Sequence, residues 1–309
     1  MTTDRPLLGV MLMLGFCALA PLADALAKLL GAHLSVGQLV AVRMGVQVVI
    51  LWPIVWLARL PVVTSPRLFW LTAIRAVLHV VGIGLMFVAL RYLPLADAVA
   101  IAFVMPFMML VLGHFVLGEE VGHRRILASI VGFIGTLMVM QPSFAEVGWP
   151  AALPLVVALD FALFMLVTRA LAKETDPISL QAVSGVIACA ILLPVLLLGD
   201  RFDLPGTAVT LPDRETWGLV LAMGVLGTVA HLVMTWALRF APSATLAPMQ
   251  YLEIPIAALV GWLIFREFPN GLALAGICVT IAAGLYIVFR EQTLSRSAHA
   301  VPPQAPVEE

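Results

Sequence analysis

The chain has 309 residues, of which 62% are hydrophobic and 11% charged, with a formal net charge of −1 and a mean hydropathy of +1.08. Soluble domains are about half apolar and about a quarter charged, so this chain lacks the polar side chains to cover a soluble fold. A soluble enzyme and a disordered scaffold are excluded, and a near-neutral chain has no basic face for nucleic acid.

A helix needs about 20 mainly apolar residues to cross a hydrocarbon core of about 30 Å. The pattern predicts ten such helices, over residues 7–30, 35–58, 68–90, 95–117, 125–141, 150–171, 178–198, 216–238, 243–265 and 270–289. The expected class is an all-α integral membrane protein with short connectors. The first block is too long, and with Asp24 and Lys28 too charged, for a cleavable signal peptide. Cys17, Cys189 and Cys278 fall in separate blocks and read as packing residues, neither a metal set nor a disulfide framework. There is no GxxxxGK[ST] loop and no room for an ATP-binding domain, so any transport draws on a gradient or on exchange. No cofactor is expected. Residues 291–309, with their Ser, Ala, Pro and Glu, read as a disordered tail.

Orientation follows from the basic residues. With the N-terminus cytoplasmic, ten of the 17 Lys and Arg fall in cytoplasmic segments and four on the opposite side, while Lys28, Arg43 and Arg75 lie within spans. The positive-inside rule then places both termini in the cytoplasm, as expected of a multi-pass protein of the cell's inner membrane.

Shifted by 148 residues, the sequence matches itself. LRYLPLADA (90–98) lies over LRFAPSATL (238–246), and Arg91, Pro94, Gly113 and Glu119 meet Arg239, Pro242, Gly261 and Glu267. These matches are informative because Arg, Pro, Gly and Glu are scarce inside apolar blocks. The shift also sets Ala128, Gly132 and Thr136 over Gly276, Thr280 and Gly284, two stripes of small residues that let helices approach closely, within a monomer or across a dimer. The chain therefore divides into repeats at 1–141 and 142–290. Five spans per repeat is odd, so the second repeat is inverted, the architecture of many secondary transporters.

The segments ALRYLPLADAVAIAFVMPFMMLVLGHFVLGEE (89–120) and ALRFAPSATLAPMQYLEIPIAALVGWLIFRE (237–267), each followed by a Gly-bearing span, resemble the drug/metabolite transporter superfamily in its ten-span EamA-type branch. Arg43 matches the arginine usual in the second span of that family. The resemblance covers the chain to about residue 290. It implies a carrier and leaves the substrate open, since similar proteins move amino acids, amines, purines, riboflavin, S-adenosylmethionine or metallophores, inward or outward.

A charge inside a span costs about 2.5–3.5 kcal/mol on insertion scales, so such residues should pair, face the bundle interior or line water. Asp24 and Lys28 share a face of the first span, and Arg43 lies at similar depth on the second. They form either an anion-attracting site or breakable gate, or a permanent ion pair with Lys28 snorkelling to the interface. Arg75 and His79 are one turn apart on the third span, and His231 is similarly placed on the eighth. Each histidine can carry a proton or simply hydrogen-bond a neighbour. Asp160 sits mid-span on the sixth helix. Glu253, with Gln250 and Tyr251 between Pro248 and Pro255, marks the preferred central site, since proline frees carbonyls that can line a cavity. Its alternative is a helix kink with Glu253 bonded to a neighbour. Met105 stands where the repeat would put Glu253, so the pseudo-symmetry breaks there. Glu119 and Glu267 read as interface anchors or caps, and Trp70, Trp217 and Trp262 as belt residues.

The leading expectation is a secondary transporter of a small polar or zwitterionic metabolite, working by alternating access. Its partners are the substrate, a proton or counter-substrate, and the bilayer, with the chain a monomer or homodimer. The alternatives are a membrane-embedded enzyme, against which no nucleophile elbow, HExxH or paired catalytic aspartates occur, and a channel-like facilitator.

Overall fold

The computed structural model describes residues 5–62, 65–105, 107–108, 112, 123–241, 246 and 250–299. These form α1 (Pro6–Leu30), α2 (Val36–Leu57), α3 (Pro66–Ala89), α4 (Leu95–Ala102), α5 (His123–Val147), α6 (Leu153–Ala172), α7 (Pro177–Arg201), α8 (Arg214–Phe240), α9 (Glu253–Phe265) and α10 (Gly271–His299). A short 3-10 turn, Trp149–Ala152, leads into α6. The fold is all-helical among the described residues, as expected. Among the described residues seven helices are long and apolar enough to cross a membrane, and the apolar stretches of α9 and α10 are shorter. Most of the fourth span after residue 108, and most of the start of the ninth with Pro248, lie outside the described residues, as do Glu119 and Pro106. The last helix runs past Glu291, so residues 291–299 of the segment read as a tail are helical.

Helix starts follow local chemistry. Proline opens α1, α3 and α7, where its missing N–H costs nothing. The Ser35, Asp176, Asp213 and Asn270 side chains accept from backbone N–H groups at the starts of α2, α7, α8 and α10. At its other end α9 stops with Arg266 in the left-handed region (φ 59°), donating its N–H to the Trp262 carbonyl. Large apolar side chains on the outer helix faces, such as Trp56, Leu57, Leu197 and Leu198, are exposed. In a bilayer that is the lipid face. The belt candidates Trp70, Trp217 and Trp262 are exposed too.

Helix packing is two-fold in pattern. The α1–α8 contact has its counterpart in α3–α6, α2–α8 in α3–α7, and α1–α9 in α4–α6, while α2–α7, α4–α9 and α5–α10 are related to themselves. The shift of 148 residues predicts that contacts come in such related pairs, since it maps each span of the first repeat onto the span five later, with α4 and α9 the first and second parts of one matched pair of spans. Even the matched arginines act alike. Arg91 donates to the Leu34 carbonyl (2.7 Å) and Arg239 to the Thr175 carbonyl (3.4 Å). Each ties the end of its repeat's third helix to the connector between that repeat's first two.

The small-residue stripes are engaged inside the chain. A Cβ on Gly276 would fall 2.5 Å from the Gly135 carbonyl oxygen, so α5 and α10 touch backbone to backbone. Gly132 instead faces the Phe107 ring. Gly135 stands outside the stripe picked out by spacing and nonetheless makes the contact. Thr136 and Thr280 fold back onto the carbonyls of Gly132 and Gly276, so neither presents a free hydroxyl to lipid. Gly276→Leu is expected to force α5 and α10 apart and to cost about 1–3 kcal/mol of stability by overpacking. A detergent-solubilised thermal unfolding midpoint checks this, and an unchanged midpoint would contradict the close contact.

Candidate functional site

Between the two halves lies a cavity of about 110 Å³. Helices α1 to α4 contribute Phe16, Asp24, Arg43, His79, Gly82 and Phe103, and the second half contributes Asp160, Phe161, Phe164, His231, Gln250 and Glu253. Seven of the ten candidates read from the sequence therefore meet here: Asp24, Arg43, His79, Asp160, His231, Gln250 and Glu253. The remaining lining is apolar and aromatic. It is a low-dielectric space holding three carboxyl groups and one guanidinium.

Arg43 does not close on Asp24. Among the described residues no hydrogen bond or ion pair joins them, and the Arg43 Nη2 instead lies 3.1 Å from His231 Nδ1. Gly227, one turn before His231 on α8, gives the guanidinium its place, since a Cβ there would fall 2.6 Å from Arg43 Nε. Gly82 does the same on α3 for the Asp160 carboxylate, which occupies the space a Cβ would fill. Each charge is thus seated on a glycine of the facing helix. Gln250 Nε2 lies 3.8 Å from Met13 Sδ and 3.9 Å from Met165 Sδ, weak acceptors that leave its amide available to a ligand.

Three candidates stand away from the cavity lining. Lys28 turns from Asp24 to Glu267, with Nζ 2.6 Å from Oε2, 2.9 Å from the Leu93 carbonyl and 4.9 Å from the Phe265 ring centroid. The expected grouping of Lys28 with Asp24 fails because a carboxylate just past α9, a ring at its end and a carbonyl from the α3–α4 connector surround the ammonium instead. Glu267 is accordingly an ion-pair partner as well as a span end. Tyr251 is buried against Phe103, at 5.5 Å between ring centroids, and its hydroxyl has no hydrogen-bond partner among the described residues. Arg75 is fully buried behind the cavity wall. It donates to Thr168 Oγ1 (2.9 Å), Ser184 Oγ (2.8 Å) and Gln181 Oε1 (2.8 Å), with its guanidinium carbon 4.7 Å from the Phe164 centroid. Asp97 is also off the lining, accepting from Ser143 Oγ at 2.9 Å.

Charge alone did not reveal the aromatic wall, the two glycine seats, or the polar partners Gln47, Thr168, Gln181 and Ser184. Mid-span Gln and Ser were a usable signal, because an uncharged polar group in lipid also needs a partner.

Two stretches of the chain, 7–141 and 148–290, match the model of the EamA-like transporter family. The chain belongs to the EamA-like transporter family. A riboflavin transporter of Brucella anthropi is 28% identical over 230 residues, covering 74% of this chain and 80% of the relative. An S-adenosylmethionine uptake transporter of Rickettsia prowazekii is 23% identical over 276 residues, covering 89% of this chain and 90% of the relative. A solved crystal structure superposes with a TM-score of 0.63 at 16% identity, over 93% of this chain and 97% of that one, which shows a shared fold. This EamA-like protein is therefore a multi-pass membrane protein of small-molecule transport, and its family is one of transporters, not enzymes. A cavity drawn from both matched stretches suits that work: carboxyl groups can hold a cation or proton, the guanidinium an anionic group, and the rings a flat or apolar part.

Proposed function

We propose that this EamA-like protein is a secondary transporter of a small polar or zwitterionic metabolite carrying a flat ring, working by alternating access in the cytoplasmic membrane. The observation that carries the reading is one cavity lined from both halves by Asp24, Arg43, Asp160 and Glu253 among aromatic side chains. At about 110 Å³ it is smaller than the about 300–1,000 Å³ usual for small-molecule sites, so a vitamin-sized solute enters only as the halves part. Residues 1–141 and 142–290 are the two moving halves, and 291–309 the tail. Both termini face the cytoplasm on the count of basic residues. The names of the riboflavin and S-adenosylmethionine relatives support a ring-bearing solute.

Purified protein in liposomes is expected to give saturable uptake of at least one compound from a panel of vitamins, nucleosides, amino acids and amines. Counter-flow by unlabelled solute, or stimulation by an imposed proton gradient, is expected with it. Flux that never saturates would point to a channel-like facilitator. Absence of both exchange and gradient coupling across the panel would sink the carrier reading.

A further inference from the structure

The cavity wall contains a column of facing, mutually tilted rings, capped by a guanidinium, that crosses from one half to the other. Arg75 lies over Phe164 at 4.7 Å, Phe164 faces His79 at 5.0 Å between ring centroids, and His79 faces His231 at 4.4 Å. The Phe16 ring closes the His231 end edge-on, at 5.9 Å and 88°. Both histidines are buried and line the cavity.

The hydrogen bonding around the two rings is unequal. A guanidinium only donates. Arg43 Nη2, 3.1 Å from His231 Nδ1, therefore requires a lone pair on that nitrogen. The Gly227 carbonyl lies 3.2 Å from the same nitrogen and would need a proton there instead. The two demands are exclusive, and the permanent charge of Arg43 decides between them. His231 is then neutral, with its proton on Nε2. On the other ring, His79 Nε2 is buried with no hydrogen-bond partner among the described residues. A buried nitrogen left without a partner is costly, and this one belongs to a side chain that lines the cavity.

We propose that His79 and His231 form a neutral recognition pair. Arg43 fixes His231 as the Nε2–H tautomer, and His79 Nε2 is kept for a hydrogen bond to a flat ring on the transported molecule. Every charged or polar group that faces the pair among the described residues enters this assignment: Asp24 from α1, Arg43 from α2, Arg75 from α3 behind Phe164, Asp160 from α6, and Gln250 and Glu253 beside α9 and at its start. The three carboxyl groups would favour an imidazolium, but among the described residues none hydrogen-bonds either ring. The contact that is made is with a cation. An imidazolium would sit against Arg43, with Arg75 on the far face of Phe164. Protons moved with the solute therefore belong on the carboxyl groups, and the histidines serve specificity.

The substrate part of this proposal rests on the carrier reading, whereas the tautomer is measurable without any solute. Full-length protein labelled with 15N-histidine, in lipid nanodiscs, is titrated from about pH 5.5 to about pH 8.5, the range in which an ordinary imidazole changes charge. Signals are assigned by single His→Gln variants. His231 is expected to show an unprotonated Nδ1 at every pH, and neither cavity histidine is expected to titrate. Arg43→Gln should release His231 into a mixture of tautomers. Titration of either ring in the wild type, or a protonated Nδ1 on His231, would overturn the neutral pair whatever the transport assay gives. Riboflavin is then added as a flat, hydrogen-bonding probe. A shift of the His79 signals with the His231 tautomer unchanged is expected, and unmoved His79 signals would overturn the contact.

Discussion

Glu253→Gln is expected to slow transport by about ten- to a hundredfold, the equivalent of a hydrogen bond to a charged group at about 1.5–3 kcal/mol, while the protein still inserts and elutes as a folded species. The substitution keeps shape and hydrogen-bonding capacity and removes the ionisable oxygen. Glu253 opens α9, and α9 packs on both α1 and α4. The carboxyl group therefore stands where the halves meet, in the same cavity as Asp24 and Asp160. Those three carboxyl groups face one cavity-lining guanidinium, and a low-dielectric space does not hold that excess of negative charge unneutralised. Protons or a cationic group on the solute must supply the balance. If Glu253 carries one of those protons, transport by the Gln variant loses its dependence on pH as well as its speed. Transport by Glu253→Gln that matched the wild type at every pH would remove Glu253 from the mechanism. Loss of speed with the pH profile intact would leave it a solute ligand only.

How much of this was legible beforehand depends on the residue. The repeat was, because Arg, Pro, Gly and Glu are rare enough in apolar blocks for matches to be informative, and the most extensive helix contacts pair as the shift requires. The meeting of Asp24, Arg43, His79, Asp160, His231 and Glu253 was also within reach, since charged and imidazole groups in lipid gather where other polar groups are. The partners within the cluster were not. Lys28 and Asp24 share a helix face, yet Lys28 pairs with Glu267, 239 residues away. One helix face shows what is adjacent along a helix and nothing of what another helix brings to it. Arg43 likewise bonds His231 through a gap left by Gly227, and no spacing rule links those positions. The close contact of α5 and α10 falls on Gly135 for a related reason. Several small residues share that helix, and only the crossing geometry selects among them.

From sequence Arg75 is a candidate for the solute pathway, and its surroundings give it a different and testable role. Arg75→Ala is expected to lower stability by about 2–4 kcal/mol, less than half of what three hydrogen bonds to a charged group at about 1.5–3 kcal/mol each would give, because removing the guanidinium also relieves the cost of burying it. The hydroxyls of Thr168 and Ser184 and the amide of Gln181 would lose their donor in a place water does not reach. Gln181 is bound in turn to Gln47, its Nε2 donating to Gln47 Oε1 at 2.9 Å while Gln47 donates to the Gln181 carbonyl at 2.7 Å. One side chain on α3 thereby joins α6 and α7 directly and α2 through Gln181, across both repeats. Arg75→Lys should recover only part of the loss, since an ammonium is a point donor and cannot reach three acceptors in the fixed fork of a guanidinium. The function should respond in a particular way. Arg75 lies behind Phe164, whose ring packs against His79, so the Ala variant loosens the wall rather than deleting a ligand. A raised KM for the carried solute together with a lowered unfolding midpoint is expected, with Lys intermediate in both. A variant that kept its unfolding midpoint but lost turnover would instead place Arg75 in direct contact with the solute during the cycle.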